Sequence, residues 1–394
     1  MAGATATLNH TVSRPPGHGP AEPSIAVLRD GGWVLVWRAD CPGRSEPGLV
    51  LTRFDPRGVP QAPVEAPVST RAAGWPLDPV VTALADGGFV VCWRCEDRHG
   101  RSLGIYSRRF HPSGAPRAPA ETLISRAGKG RLSGPLATAL PSGGYVVTWG
   151  SENHNGHVLW ILQQAYDPNG QALAPTDILV NGRTVGWQFD VSVAALPDGG
   201  WVIAWEAFEK DNNHPGIFQQ RFAPNGSAQF GTEAAVHVDQ ADWQFEPFVT
   251  ALQTGGWVVT WGALDPDQVS LGVHQRSYTA QGTARSPADT PVNTTPVGWR
   301  FKPVVSALPD GGWVSVWMSE SRSGASWGVY QRRYDAAGAA RDLQGHLTEA
   351  GTDVLHPPIC TRLTFTSAAT CTTVIVIDPY SPAPRLRRLP GSIL

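Results

Sequence analysis

Six polar segments recur in this 394-residue chain and hold most of the side chains that could do chemistry. They read RADCPGRSEP, RCEDRHGRSL, GSENHNGHVL, EAFEKDNNHP, GALDPDQVSL and MSESRSGASW. Carboxylate, amide, hydroxyl and imidazole groups dominate these loops, and such groups can hydrogen-bond sugar hydroxyls when a fold holds them in place. The sequence therefore predicts ligand-binding residues in the loops, at Glu152, Asn153, Glu206, Asp211 and Glu320.

Four tryptophans stand just before the predicted first strand of a repeat. They are Trp75, Trp187, Trp243 and Trp299, in GWPLDP, GWQFDV, DWQFEP and GWRFKP. Arg131 takes this position in the third repeat, so the aromatic ring is not required for folding. Beside polar loops, a flat aromatic ring can cover the apolar face of a neutral sugar. A competing interpretation makes each tryptophan a wedge buried between neighbouring repeats.

Catalytic groups have less support in the sequence. The acidic side chains of EAFEKDNNHP, or Glu152 with His154 and His157, could supply acid–base pairs or a metal site. Neither set has a counterpart in the other repeats, and loops of this composition are usually solvated. The sequence therefore predicts no catalytic residue, no bound metal and no cofactor.

An internal repeat sets the positions of all these groups. A tryptophan closes an apolar run every 56 residues, without insertion or deletion, at Trp37, Trp93, Trp149, Trp205, Trp261 and Trp317. Glycine and aromatic residues elsewhere in the unit keep the same step. Such regularity marks a repeat array, and seven units of this length would use nearly the whole chain.

Each unit has the pattern of four antiparallel strands. KPVVSAL and WVSVW are two strands joined by PDGG, which is typical of a tight hairpin turn. WGVYQRRYDAAG contains a third strand, and DTPVNTTPVGW supplies a weaker fourth. The second strand is apolar on both faces and should be covered on both sides. The sequence therefore predicts an all-β fold, a seven-bladed β-propeller of four-stranded antiparallel blades.

We expect one domain over residues 1–394. Residues 1–22 would supply one closing strand, residues 23–357 six regular repeats, and residues 358–394 a degenerate last blade. The three strands of that blade are predicted at ICTRLTF, CTTVIVID and PRLRRLP. One N-terminal plus three C-terminal strands would close the ring and leave no exposed sheet edge. A six-bladed ring with a C-terminal tail is the alternative.

The unit D-G-G-[WF]-V-x-x-W, followed by G-[IV]-x-x-Q-R-[FY]-D-x-x-G, resembles the repeats of large bacterial RTX-type adhesin proteins. The best match joins DGGW at 310–313 with GVYQRRYD at 328–335, and the resemblance covers about residues 22–350. It implies a surface or binding role and no chemistry. The chain lacks the glycine-aspartate nonapeptides that bind calcium in that class, and its repeats would form a stand-alone propeller.

Composition argues against several classes of partner. Charged residues make up 16% of the chain and the formal net charge is −2, so no basic surface for nucleic acid is expected. No apolar segment is long enough to span a membrane. The N-terminus has no signal-peptide pattern, which indicates a cytoplasmic protein or export by another route.

Together these patterns predict a non-enzymatic, lectin-like carbohydrate-binding protein that presents its tryptophan-bearing inter-blade loops on one face. Its partner would be a carbohydrate or protein ligand, and its oligomeric state stays open. One alternative is a protein-interaction scaffold that uses the same face, with a broad patch and buried tryptophans. The other is a glycan hydrolase or lyase, which requires two carboxylates that converge on a central funnel.

Overall fold

The computed structural model describes residues 21–40, 47–70, 74–125, 130–152, 159–182, 188–208, 215–238, 243–264, 271–294, 300–320, 327–341, 345–349, 359–367 and 370–377. Within these ranges the chain is all β, and no helix is present. No described segment is therefore a helix that could cross a membrane. The chain divides into two compact units, residues 1–126 with 132–135, and residues 127–131 with 136–394.

The first unit contains two four-stranded antiparallel sheets, each with its strands paired in chain order. The first sheet consists of β1 (Ala21–Val27), β2 (Trp33–Asp40), β3 (Pro47–Phe54) and β4 (Ala66–Pro67). The second sheet consists of β5 (Trp75–Ala83), β6 (Phe89–Glu96), β7 (Ser102–Phe110) and β8 (Thr122–Leu123).

The second unit contains four sheets of the same kind and one hairpin. The third sheet consists of β9 (Leu136–Ala139), β10 (Tyr145–Glu152), β11 (Leu159–Tyr166) and β12 (Ile178–Leu179). The fourth consists of β13 (Gln188–Ala195), β14 (Trp201–Phe208), β15 (Pro215–Phe222) and β16 (Ala234–Ala235). The fifth consists of β17 (Gln244–Ala251), β18 (Trp257–Leu264), β19 (Leu271–Tyr278) and β20 (Thr290–Pro291). The sixth consists of β21 (Arg300–Ala307), β22 (Trp313–Glu320), β23 (Trp327–Tyr334) and β24 (Gly345–Glu349), and β25 (Ile359–Ser367) with β26 (Thr370–Ile377) forms the hairpin.

These sheets confirm the predicted all-β architecture, in which the repeat unit is a four-stranded propeller blade. The predicted hairpin turn is present in the sixth sheet. Leu308 donates its N–H to the Gly312 carbonyl at 2.8 Å, and Gly311 donates to the Leu308 carbonyl at 3.0 Å. Gly311 has a φ of +85°, a backbone conformation that glycine adopts without steric cost.

The second strand of each sheet carries the core, as its pattern predicts. In β14, all residues from 201 to 207 are buried. Trp201, at the start of that strand, stacks on Phe222 of β15 with ring centroids 5.5 Å apart, and Trp257 and Tyr278 of the fifth sheet repeat the contact at 5.1 Å. Trp201, Ile203 and Trp205 lie on one face of β14 and Val202 and Ala204 on the other, and all five are buried, which explains why the strand is apolar on both faces in the sequence.

The number of blades among the described residues differs from the predicted seven, whereas the fourth strand is short, in line with its weaker pattern. The described residues contain six blades where seven were predicted, and β25 and β26 pair only with each other. These two strands match ICTRLTF and CTTVIVID, whereas PRLRRLP and most of the predicted closing strand at 1–22 lie outside the described residues.

The fourth strand has only two residues in the first five sheets. It contains proline in two of them, and proline has no N–H to extend the ladder. The single domain over 1–394 stays a prediction.

Buried hydrogen bonds link consecutive sheets of the second unit. The Trp201 indole Nε1–H donates to Gln163 Oε1 in the preceding sheet at 2.6 Å, and both side chains are fully buried. The bond recurs 56 residues later between Trp257 and Gln219 at 2.8 Å, and again between Trp313 and Gln275 at 3.0 Å. In the first unit, Leu51 and Phe89 occupy the equivalent positions and belong to one apolar cluster. The indole and the glutamine therefore occur as a matched pair.

We expect Trp201→Phe to lower the free energy of unfolding by about 1–3 kcal/mol, because Gln163 loses the donor to its buried oxygen. The double variant Gln163→Leu/Trp201→Phe should recover most of this loss, since it reproduces the apolar pair of the first unit. Urea unfolding of the three proteins tests the expectation. A single variant as stable as the parent protein, or a double variant no better than the single, would contradict it.

Candidate functional site

A β-bulge interrupts the first strand of five sheets at one repeat position. In the fourth sheet it inserts one extra residue between Phe189 and Ser192. The residue that opens each bulge has a left-handed backbone with φ between +45° and +57°, at Glu22, Asp78, Asp190, Glu246 and Lys302. A proline follows four of these five residues, where the missing N–H removes no ladder bond. Left-handed non-glycine residues cost on the order of 1–3 kcal/mol each, and such strain tends to collect at functional sites.

In the first unit, arginines neutralise the bulge carboxylates. Glu22 lies 3.6 Å from Arg38, and Arg94 pairs with both Asp78 and Glu96. Glu22 Oε2 also accepts the backbone N–H of Asp78 at 2.8 Å. A carboxylate of one sheet thus holds the bulge of the next, and each of the two bulge carboxylates has an arginine partner.

In the second unit, a glutamate stands where the first unit has arginine. Glu206 of β14 occupies the repeat position of Arg38 and Arg94. It lies in the second strand of its sheet, hydrogen-bonded on both sides, and is only 8% exposed. Its Oε2 accepts the backbone N–H of Glu246 at 3.3 Å. The bulge of the fifth sheet is therefore held by a second-strand carboxylate.

Glu246 continues this series of bonds into the sixth sheet. Its Oε2 accepts the backbone N–H of Lys302 at 2.8 Å. Asp190, from the bulge of the fourth sheet, interacts electrostatically with both Glu206 and Glu246. We call Asp190, Glu206 and Glu246 the acidic cluster. Lys302 is the cation whose charge acts on Asp190 and Glu246.

The acidic cluster favours protonated carboxyl groups. Burial, together with the charges of Asp190 and Glu246, raises the pKa of Glu206 to about 7. The surrounding protein also raises the pKa of Asp190, although its side chain is exposed, and Lys302 opposes that shift. Burial raises the pKa of Glu246, with a smaller contribution from Asp190 and opposition from Lys302. Near neutral pH, Glu206 can therefore both hold and release a proton, which is what general acid–base chemistry needs.

An exposed aromatic residue lies next to the acidic cluster. Trp243 is 44% exposed, and its ring meets the ring of Phe208 edge to face, with centroids 6.3 Å apart and an interplanar angle of 84°. Phe208 ends β14 two residues after Glu206. In the first unit, Trp75 is 43% exposed. Neither of these two tryptophans is a buried wedge.

The structure places the predicted site residues in different settings. Glu206 lies in a buried strand and not in a loop, because β14 continues to Phe208. Glu152 and Glu320 are the last residues of β10 and β22. The structure does not describe their side chains. Four further predicted residues lie outside the described residues: Trp187, Trp299, Asn153 and Asp211. Of the predicted set, the described structure brings Glu206 and Trp243 into one region.

Sequence reasoning missed Asp190, Glu246 and Lys302. Their signal is a charged residue three positions after the tryptophan column, visible in GWQFDV, DWQFEP and GWRFKP. In a regularly alternating strand this position would have no special role. The bulge changes its orientation, and the only sign of the bulge in the sequence is the proline that follows four of the five residues. Among the described side chains, no group of three or more His, Cys, Asp or Glu residues has an arrangement that could hold a metal ion.

Comparisons with known proteins show the fold. No family model and no curated protein matches the chain. The PL25 ulvan lyase, a polysaccharide lyase, has a similar structure with a TM-score of 0.52 at 8% identity, covering 84% of this chain and 85% of that chain. The same lyase bound to -[GlcA(1-4)Rha3S]- gives a TM-score of 0.50 at 9% identity, with 84% and 85% covered. An α-L-arabinanase from Penicillium chrysogenum gives 0.49 at 14% identity, covering 77% of this chain and 89% of that chain.

The predicted non-enzymatic, lectin-like function is contradicted. A protein of similar structure, the PL25 ulvan lyase, is a polysaccharide lyase and therefore an enzyme that acts on a glycan. The prediction failed because it assigned Glu206 to a solvated loop, where its pKa would be ordinary, and overlooked the carboxylates of the neighbouring bulges. The resemblance to RTX-type adhesin repeats stays a prediction.

The acidic cluster should make stability depend on pH. The folded-state pKa of Glu206, about 7, lies above its ordinary value of 4.5, so the folded chain keeps a proton that the unfolded chain releases. The stabilisation is complete below pH 4.5 and is lost as the pH rises to about 7, at roughly 1.4 kcal/mol per pKa unit. Glu206→Gln should flatten this slope, measured by urea unfolding from pH 5 to pH 8. Parallel profiles for the variant and the parent would refute the shift.

Glu206→Arg should fold and be more stable than the parent at pH 8, by about 1 kcal/mol. An arginine at this position would face Asp190 as Arg94 faces Asp78, and this gain exceeds the loss of one bond to the Glu246 N–H. Thermal and urea unfolding at pH 8 provide the measurement. A clear loss of stability would show that the two positions are not equivalent.

Proposed function

We propose that this protein is a glycan-processing enzyme that hydrolyses glycosidic bonds, with Glu206 as the proton donor. Asp190, the exposed member of the acidic cluster, acts as the ionised partner. One observation carries the proposal: a buried carboxyl group whose pKa is about 7 lies among carboxylates of neighbouring sheets, where the first unit has arginine. Carboxyl groups in unequal environments are the usual means of glycoside hydrolysis.

The proposed reaction divides the work between two carboxyl groups. Protonated Glu206 donates to the glycosidic oxygen as the bond to the leaving sugar breaks. The positive charge of Lys302 opposes the rise in the pKa of Asp190 and so favours the ionised form of this exposed carboxyl group. It either activates a water molecule or stabilises the positive charge that develops on the sugar ring. Glu246 is held in place by accepting the Lys302 N–H, while burial and the charge of Asp190 keep the pKa of Glu206 high.

Two further observations support a glycan as the substrate. The exposed ring of Trp243 beside the carboxylates suits the apolar face of a sugar. The fold is also that of a polysaccharide lyase, which gives glycan chemistry a precedent on this framework. Hydrolysis is favoured over elimination, because removal of a proton beside a uronate carboxylate needs cations to stabilise the developing charge. The acidic cluster has negatively charged carboxylates where elimination would need those cations.

Glu206→Gln should lower kcat/KM on a cleaved glycan by about 100-fold to 10,000-fold, the usual contribution of a general acid. The measurement is release of reducing ends from a panel of polysaccharides, with ultraviolet absorbance used to detect the unsaturated product of a lyase. The parent enzyme should lose activity above about pH 7, where Glu206 gives up its proton.

Glu22→Gln is the matched control for this experiment. Glu22 accepts the N–H of the next bulge, as Glu206 does, but it belongs to the charge-balanced bulges of the first unit. It should keep parental activity. Activity retained by Glu206→Gln, or lost equally in both variants, would exclude Glu206 as the donor.

A further inference from the structure

We propose that Trp243, oriented by Phe208, positions the substrate by stacking against an uncharged sugar ring next to the acidic cluster. This inference rests on the proposed function. It adds the residue that holds the substrate and the class of substrate, an uncharged glycan.

Trp243 differs from the other tryptophans of the second unit. Those of the second strands are buried, with exposures of 0–1% at Trp149, Trp201, Trp205, Trp257, Trp261, Trp313 and Trp317. Trp243 is 44% exposed, although a large aromatic residue gains most from burial. Its carbonyl accepts the Leu264 N–H at 2.9 Å, which ties its backbone to the end of β18. The exposed ring is therefore held in place at both its backbone and its edge.

The geometry places this ring close to the carboxylates. Phe208, which the ring contacts, follows Glu206 by two residues on β14, and Trp243 lies directly before β17, three residues before Glu246. At about 3.3 Å per strand residue, these spacings correspond to roughly 7–10 Å. An oligosaccharide stacked on Trp243 would therefore extend to Glu206.

The charge of the acidic cluster determines which sugars can bind beside it. With Glu206 protonated as the donor, Asp190 and Glu246 still outnumber Lys302, the one cation that acts on them among the described side chains. A uronate or sulfated sugar would bring a further negative charge to this place, and like charges in contact oppose binding. The equivalent region of the first unit is balanced by arginine at Arg38 and Arg94. A neutral glycan is therefore the substrate class that the second unit can accept.

Binding is measured separately from cleavage in the Glu206→Gln background. The probes are neutral oligosaccharides of arabinan, galactan and xylan, and anionic oligosaccharides of polygalacturonate and glucuronan, titrated while protein fluorescence is followed. Trp243→Ala should weaken binding of a neutral oligosaccharide about 10-fold or more. Trp243→Phe should restore part of it. Trp75→Ala, at the same repeat position and similarly exposed, should stay within about 2-fold.

In the active protein, Trp243→Ala should raise KM more than it lowers kcat, and added salt should leave neutral binding unchanged. The proposal is overturned if folded Trp243→Ala binds as the parent does, if only anionic probes bind, or if no neutral probe binds. Failure of the proposed function looks different. In that case Glu206→Gln cleaves at the parental rate, whatever the binding titrations give.

Discussion

The left-handed bulge in the first strand of five of the six described sheets is the constraint on which the charged groups of both units depend. An extra residue in one strand interrupts the alternation of side chains and redirects one of them. Where that residue is glutamate, its carboxylate accepts the N–H of the bulge that follows, as Glu22 does for Asp78 and Glu246 does for Lys302. The bulges at Asp78, Glu246 and Lys302 are thus each held by a carboxylate of the sheet before.

Asp190 is the exception that creates the acidic cluster. Its side chain is one methylene shorter than that of glutamate, and the N–H of Glu246 is bonded by Glu206. A second-strand carboxylate is thereby drawn into contact with the bulge, at the position where Arg38 and Arg94 balance charge in the first unit. The fourth sheet lacks the favourable ion pair found in the first unit and has instead a carboxyl group with a raised pKa. Unfavourable electrostatics of this kind is a common property of catalytic sites.

The sequence was sufficient to predict the strands of a blade but not the residues of the candidate site. Trp201, Gly311 and their equivalents recur at a fixed step because each packs or turns in the same way in every repeat, so periodicity alone predicts the strands. Blade number depends on residues 358–394, which have lost that pattern. Glu206 and Glu246 are 40 residues apart, and their contact depends on a bulge and on the packing of two sheets. Local patterns encode neither the bulge nor the packing, and a column of charged residues is also what an ordinary surface position would show.

The indole–glutamine bonds bear on how this array could have arisen and can still change. Each bond has its donor in one sheet and its acceptor in the sheet before it, as in Trp257 with Gln219. Leu51 and Phe89 form the apolar version of the same junction. A repeat copied by gene duplication can pack against its new neighbours only if the donor and acceptor residues at each junction still match. Recombination that set Leu51 beside an indole would bury a donor without an acceptor, so the order of the repeats is inherited together with their sequences.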